Sequence, residues 1–177
     1  VDQVLVPTGI TDMASEKDLD QALHEALETN EAFRTWFAEN LLHGKGFDKL
    51  VLCRSDHPWT KVRVILPDAE TGALNGVDRE GETDVLAVFQ DSSGRRLGVH
   101  IENKLPTGSF TPYLPDVYAA RADHWIGNDS YGCYDLWETV LLAPESFMVR
   151  NETEARKFTS RMTHEQVSEF IPAFETT

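Results

Sequence analysis

Thr83-Asp84-Val85-Leu86-Ala87-Val88-Phe89-Gln90 and Leu97-Gly98-Val99-His100-Ile101-Glu102-Asn103-Lys104-Leu105 decide the fold. They are two apolar runs rich in β-branched residues, joined by Asp91-Ser92-Ser93-Gly94-Arg95-Arg96. That arrangement predicts an antiparallel hairpin with a loop somewhat longer than the tight two-residue type. A loop centred on Ser93 and Gly94 pairs residues whose numbers sum to about 186 or 187, which sets Asp84 opposite Glu102 or Asn103. Side chains alternate between faces, so Glu102 and Lys104 share one face while Val99 and Ile101 take the other.

Outward from the hairpin, the first third of the chain reads as helix. Ser15 with Asp18 three residues on is an N-cap signal, followed by Leu19, Leu23, Ala26 and Leu27 at helical spacing. A second helix begins near Asn30, carries Phe33, Trp36, Phe37, Leu41 and Leu42, and stops by Gly44. Lys49–Ser55 and Lys61–Leu66 are strand candidates around the turn Asp56-His57-Pro58, and residues 67–81 read as loop. After the hairpin come a helix over Pro115–Ile126, a strand over Leu136–Leu142 and an amphipathic helix over Thr153–Phe170. The expected fold is a single α/β domain over residues 1–177, with a mixed central β-sheet flanked by helices.

Composition limits the function. In 177 residues the hydrophobic share is 41% and the charged share 26%, an ordinary globular balance. No apolar run is long enough to span a bilayer, and Cys53 and Cys133 form no paired motif, so a cytoplasmic protein with reduced thiols and no membrane partner is expected. The net charge of −14 repels a polyanion at long range. It is uneven, however: 8 of the 16 Lys and Arg fall within residues 49–110, the stretch holding the hairpin. A homo-oligomer or a protein partner is one way for such a chain to complete a basic groove.

Asp84, Glu102 and Lys104 converge at the open end of the hairpin beside apolar neighbours. Two adjacent carboxylates repel, and burial pushes them towards their neutral form. A divalent cation removes the conflict, and hard oxygen ligands suit Mg²⁺, with Mn²⁺ as the alternative. An adjacent Lys holds a phosphate oxygen or orients a water, so the set fits metal-assisted phosphodiester hydrolysis. A cross-strand ion pair on a solvated face is the other reading of the same residues.

The run Glu-Thr-Asp-Val-Leu…Ile-Glu-Asn-Lys-Leu resembles the signature of the PD-(D/E)XK nuclease superfamily, an acid opening one strand and Glu-x-Lys closing the next. The resemblance covers roughly residues 30–126 and implies a restriction-endonuclease-like core. It implies that Asp84 and Glu102 bind the metal with the main-chain carbonyl of Asn103, and that Lys104 assists the water. Glu39 on the preceding helix is the implied further ligand. A subset of the family carries Gln-x-x-x-Tyr on the helix after the Lys; Tyr118 matches its Tyr, and Leu114 stands where the Gln would be. The expected function is a Mg²⁺-dependent nuclease with nucleic acid as partner, DNA favoured over RNA. Leu114 and the acidic charge open the alternative of a catalytically silent protein-interaction module.

Arg121 lies one helical turn beyond Tyr118, so both are candidates to bind substrate; an ion pair of Arg121 with Asp116 or Asp123 is the competing reading. His57 reads as solvated loop and His100 as a hydrogen-bonded strand histidine.

Overall fold

The computed structural model describes residues 14–175. The hairpin forms from β4 (Val85–Asp91) and β5 (Arg96–Asn103), paired Val85↔Ile101 and Leu86↔His100, a constant sum of 186. Its loop is closed by Asp91, whose Oδ1 accepts the N–H groups of Ser93 and Arg95, with Gly94 in the left-handed region at φ 90°.

The alternation of the two strands creates two cores. Val85, Ala87, Phe89, Leu97, Val99 and Ile101 face one side of the sheet, under α1 (Glu16–Thr29) and α2 (Glu31–Glu39). Leu86 and Val88 face the other, against Trp125 and Tyr134. Ser15 caps α1 in a reciprocal capping box with Asp18, as its spacing predicts. Leu19, Leu23 and Leu27 then carry no exposed surface at all.

β1 (Phe47–Arg54) lies antiparallel to β4, while β6 (Leu136–Ala143) joins β5 in parallel and β7 (Ser160–Thr163) joins β6 in parallel. The five-stranded order is β1-β4-β5-β6-β7, a mixed sheet between helices. A parallel neighbour needs a crossover, and α3 (Leu114–His124) supplies it between β5 and β6. Among the described residues no helix is long and apolar enough to cross a membrane.

Two expectations fail. Residues 67–81 are not all loop: β3 (Leu74–Glu82) pairs along β2 (Trp59–Pro67) in a separate two-stranded ribbon. The inner face of the ribbon, Val62, Val64 and Leu66, packs on Val117 of α3. β3 lacks apolar alternation because cross-strand charges replace it, with Lys61 opposite Glu80 and Arg63 opposite Asp78. Nor is Thr153–Phe170 one helix. Phe158 packs with Tyr118 on one side of the sheet and Met162 joins the core on the other. Residues four apart on a helix share a face, so no continuous helix reaches both. The chain runs instead through α4 (Glu145–Arg150), α5 (Glu152–Ala155), β7 and α6 (His164–Ser168).

Candidate functional site

The hairpin register extends one residue past Val85↔Ile101 and sets Asp84 across from Glu102. Asp84 sits in the turn between β3 and β4, while Glu102 is in the last turn of pleat of β5 and only 3% exposed. Lys104, two residues on, places its Nζ 2.5 Å from Glu102 Oε1. The structure therefore brings together the three residues read from the hairpin.

Asn103 ties this group to α1. Its backbone N–H donates to Asp84 Oδ2 at 2.9 Å, and its side-chain Nδ2 donates to Asp20 Oδ1 at 3.0 Å. Its own Oδ1 lies 2.9 Å from His164 Nε2. One residue thus fixes one oxygen of each of two acids and leaves Asp84 Oδ1 and Asp20 Oδ2 facing the same point. His57 faces it too, with Nε2 3.2 Å from Asp20 Oδ2 and Nδ1 3.9 Å from Asp84 Oδ1 and 3.0 Å from Glu82 Oε1. His57 is held in the left-handed region at φ 52°, a backbone cost that tertiary contacts must offset.

Burial dominates the electrostatics. It pushes Asp20 up to about 6, with the Asn103 hydrogen bond and His57 pulling the other way. It raises Asp84 well above the usual carboxylate range, reinforced by the Glu102 and Asp20 charges. Burial alone would lower Lys104, but the Glu102 carboxylate outweighs it and the ammonium titrates higher than usual. Asp20, His57 and Asp84 are thus a group that could hold a cation.

The chemistry of the donor set suits a divalent ion. Asp20 Oδ2 is buried with no hydrogen-bond partner of normal geometry, an orphan acceptor that a cation satisfies. Ligand atoms of Asp20, His57 and Asp84 all lie within 4.8 Å of one another, a little wider than the roughly 4.2 Å that ligands about 2.1 Å from a common centre span, so they would draw in around an ion.

Glu39 is not at this site. It is exposed at the end of α2, beside Gly44, Lys45 and Phe47, and Phe47 pairs with Asp91 at the far end of β4. The helical acid that reaches the hairpin is Asp20, from α1. A signal for it was present: Asp20, Leu23 and Leu27 share one helical face, so an acid interrupts an apolar stripe. His57 left no comparable mark, since only the long-range path of the β1–β2 turn brings it in, and its expected place in a solvated loop is corrected to a side chain 19% exposed.

Tyr118 and Arg121 do come to the site, one turn apart on α3. Tyr118 accepts the Asp84 N–H at 3.2 Å, and burial with the Asp84 and Glu102 charges keeps its phenol protonated. Arg121 is 1% exposed, donates from Nε to Thr83 Oγ1 at 2.9 Å and from Nη2 to the Glu82 carbonyl, and forms no ion pair with Asp116 or Asp123. Behind it, Thr83 Oγ1 lies 3.1 Å from His100 Nδ1, and His100 Nε2 lies 3.0 Å from the Tyr134 hydroxyl, which donates to the Ala122 carbonyl. Burial lowers His100 to about 3, so the ring is neutral, and one direction of donation satisfies the whole chain from Arg121 to Ala122. His100 is thus the hydrogen-bonded strand histidine its position suggests.

These residues open on a cleft of about 460 Å³ between the β2–β3 ribbon and α3. Asp84, Glu102, Lys104, Tyr118 and Arg121 line it, and Leu114 contributes an apolar wall. The class so defined is an α/β protein with a mixed sheet and an acid-rich cleft at the end of its central hairpin. Comparison with protein-family models, curated proteins and solved structures finds no match for this chain.

Proposed function

We propose that the protein is a metal-dependent nuclease that hydrolyses phosphodiester bonds, with DNA the favoured substrate and Mg²⁺ or Mn²⁺ the cofactor. The observation that carries this reading is the convergence of Asp20, His57 and Asp84 at the end of one hairpin, with the Glu102–Lys104 pair beside them and Asp84, Glu102 and Lys104 lining a cleft. Asp84 and Glu102 are the ligands that the resemblance to PD-(D/E)XK nucleases implies; of the two, Asp84 belongs to the group with Asp20 and His57, while Glu102 pairs with Lys104 beside it. Asp20 takes the place there that was expected of Glu39, and His57 is an addition.

When bound, the metal polarises the phosphoryl group and lowers the pKa of a water. The chain's own residues do the rest. Asn103 holds Asp84 and Asp20 so that their free oxygens converge. Lys104 keeps its proton at neutral pH and supplies positive charge next to Glu102, where negative charge develops on the phosphate. Tyr118 stays protonated and fixes the backbone of Asp84. His57 adds an imidazole to a carboxylate set, which favours Mn²⁺ over Mg²⁺.

Incubation with single- and double-stranded DNA in Mg²⁺ or Mn²⁺ tests the proposal. Cleavage that requires the metal and is lost in Asp84→Asn and Lys104→Ala supports it; cleavage that survives both substitutions, or none with either metal, counts against it. One observation favours a second reading, a silent nuclease fold serving as an interaction module: Leu114 stands on the cleft wall where a polar side chain is expected. Binding of DNA or a protein without cleavage selects that reading.

A further inference from the structure

Arg121 has donors to spare. Its Nε is taken by Thr83 Oγ1 and its Nη2 by the Glu82 carbonyl, and its guanidinium carbon sits 4.5 Å from the centre of the Tyr118 ring. These contacts fix the plane of the group on the floor of the cleft. The remaining nitrogen, Nη1, is buried and has no hydrogen-bond partner. A buried donor left unmade costs about 1–3 kcal/mol, so an orphan guanidinium nitrogen at a cleft floor calls for an explanation.

Gly81 points to one. A Cβ built on Gly81 would stand 2.9 Å from Nη1, with the next nearest atoms, Arg121 Cζ and Val117 Cγ1, at 3.9 Å. The glycine does not occupy the left-handed region, so backbone conformation does not require it there. What its missing side chain does is leave unfilled the space beside the buried Nη1 on the side of the cleft, which Gly81 and Arg121 both line. The ligand such a donor accepts is an anionic oxygen, and a guanidinium suits the oxygens of a phosphate.

We propose that Arg121 Nη1, buried beside Gly81 with no partner of its own, is a subsite for a non-bridging phosphate oxygen of the substrate. It rests on the reading of the cleft as a nuclease site and adds to it the group that anchors the backbone phosphate. It also accounts for anion binding in an acidic chain. Burial pulls the Arg121 guanidinium below its usual range and the nearby Glu102 and Asp84 charges pull the other way, while the same two charges oppose an incoming anion until a cation neutralises them. Metal and phosphate therefore bind with positive coupling, and each tightens the other by the same factor.

The test is a titration of the whole chain with Mn²⁺, followed by electron paramagnetic resonance, with and without methyl phosphate. Wild-type protein and Gly81→Ala are compared. Gly81→Ala leaves every carboxylate in place and sets a methyl 2.9 Å from Nη1, so the end of the Arg121 side chain has to shift off the subsite. The expected result is that methyl phosphate tightens Mn²⁺ binding about fivefold in wild type, while Gly81→Ala binds Mn²⁺ as wild type does but loses that gain. Equal tightening in both proteins, from phosphate bound to the metal alone, overturns the subsite. If neither protein binds Mn²⁺, the nuclease reading fails by itself. The subsite is then judged by methyl phosphate alone on the Asp84→Asn, Glu102→Gln variant, in which the opposing charges are gone: a shift of the Arg121 guanidinium ¹⁵N resonance supports it, and no shift overturns it. The same resonance decides the matter should Gly81→Ala not fold.

Discussion

Replacing Asp20 by Asn makes the metal-free protein more stable at neutral pH. Asp20 is 1% exposed, and burial raises it to about 6 from a normal value of 3.8. A raised carboxylate favours the folded state fully only below the unfolded value near 3.8. That contribution fades as pH rises through about 6 and is gone above it. A shift of about 2 units corresponds to roughly 3 kcal/mol, the upper limit of what the uncompensated charge costs at pH 7.5. Asparagine has nearly the same shape, its carbonyl oxygen keeps the 3.0 Å bond from Asn103 Nδ2, and it carries no charge. Urea unfolding in EDTA is therefore expected to show Asp20→Asn more stable than wild type by about 2–3 kcal/mol at pH 7.5 and equal to it near pH 4. His100 and His164, lowered by burial to about 3 and about 4, destabilise both proteins alike in acid and cancel from the difference. Adding 10 mM Mn²⁺ closes the gap from the wild-type side, by about 1.4 kcal/mol for a dissociation constant near 1 mM. A substitution that destabilises at pH 7.5, or a gap that does not change with pH, would refute the reasoning.

Other consequences are checked more simply. Asn103→Leu removes the donor to Asp20 while leaving the backbone donor to Asp84, so Mn²⁺ affinity is expected to fall about tenfold in calorimetry, as for the loss of a group that orients a ligand. Glu39→Ala, at the other end of the sheet, leaves Mn²⁺ affinity and DNA cleavage unchanged; a loss of either returns Glu39 to the site. Gly98→Ala drives a methyl to 2.4 Å from the Tyr134 ring and is expected to cost about 1–3 kcal/mol in urea unfolding. In acid, the two buried neutral histidines have to charge on unfolding below pH 6.5, so stability in EDTA is expected to fall more steeply between pH 6 and 4 in Asp20→Asn than in wild type, where the raised Asp20 offsets part of the loss.

What was legible in the sequence was local. The hairpin register followed from the position of Ser93 and Gly94, and with it the pairing of Asp84 with Glu102; the α1 cap followed from Ser15 and Asp18. β3 was hidden because a two-stranded ribbon held by charge pairs has no apolar period to detect. The Thr153–Phe170 segment misled because Phe158 and Met162 mimic a helical repeat while serving opposite faces of the sheet. The site divides in the same way. Residues on one hairpin were found together, whereas Asp20 and His57 reach it from 64 and 27 positions before Asp84, distances over which spacing carries no information.

Anomalous diffraction from crystals soaked in Mn²⁺ tests the central claim most directly. A peak within about 2.3 Å of carboxylate oxygens from Asp84 and Asp20 and of a His57 ring nitrogen is the result expected. A map with no peak at the end of the β4–β5 hairpin, or one whose ion sits against Glu39 instead, contradicts it.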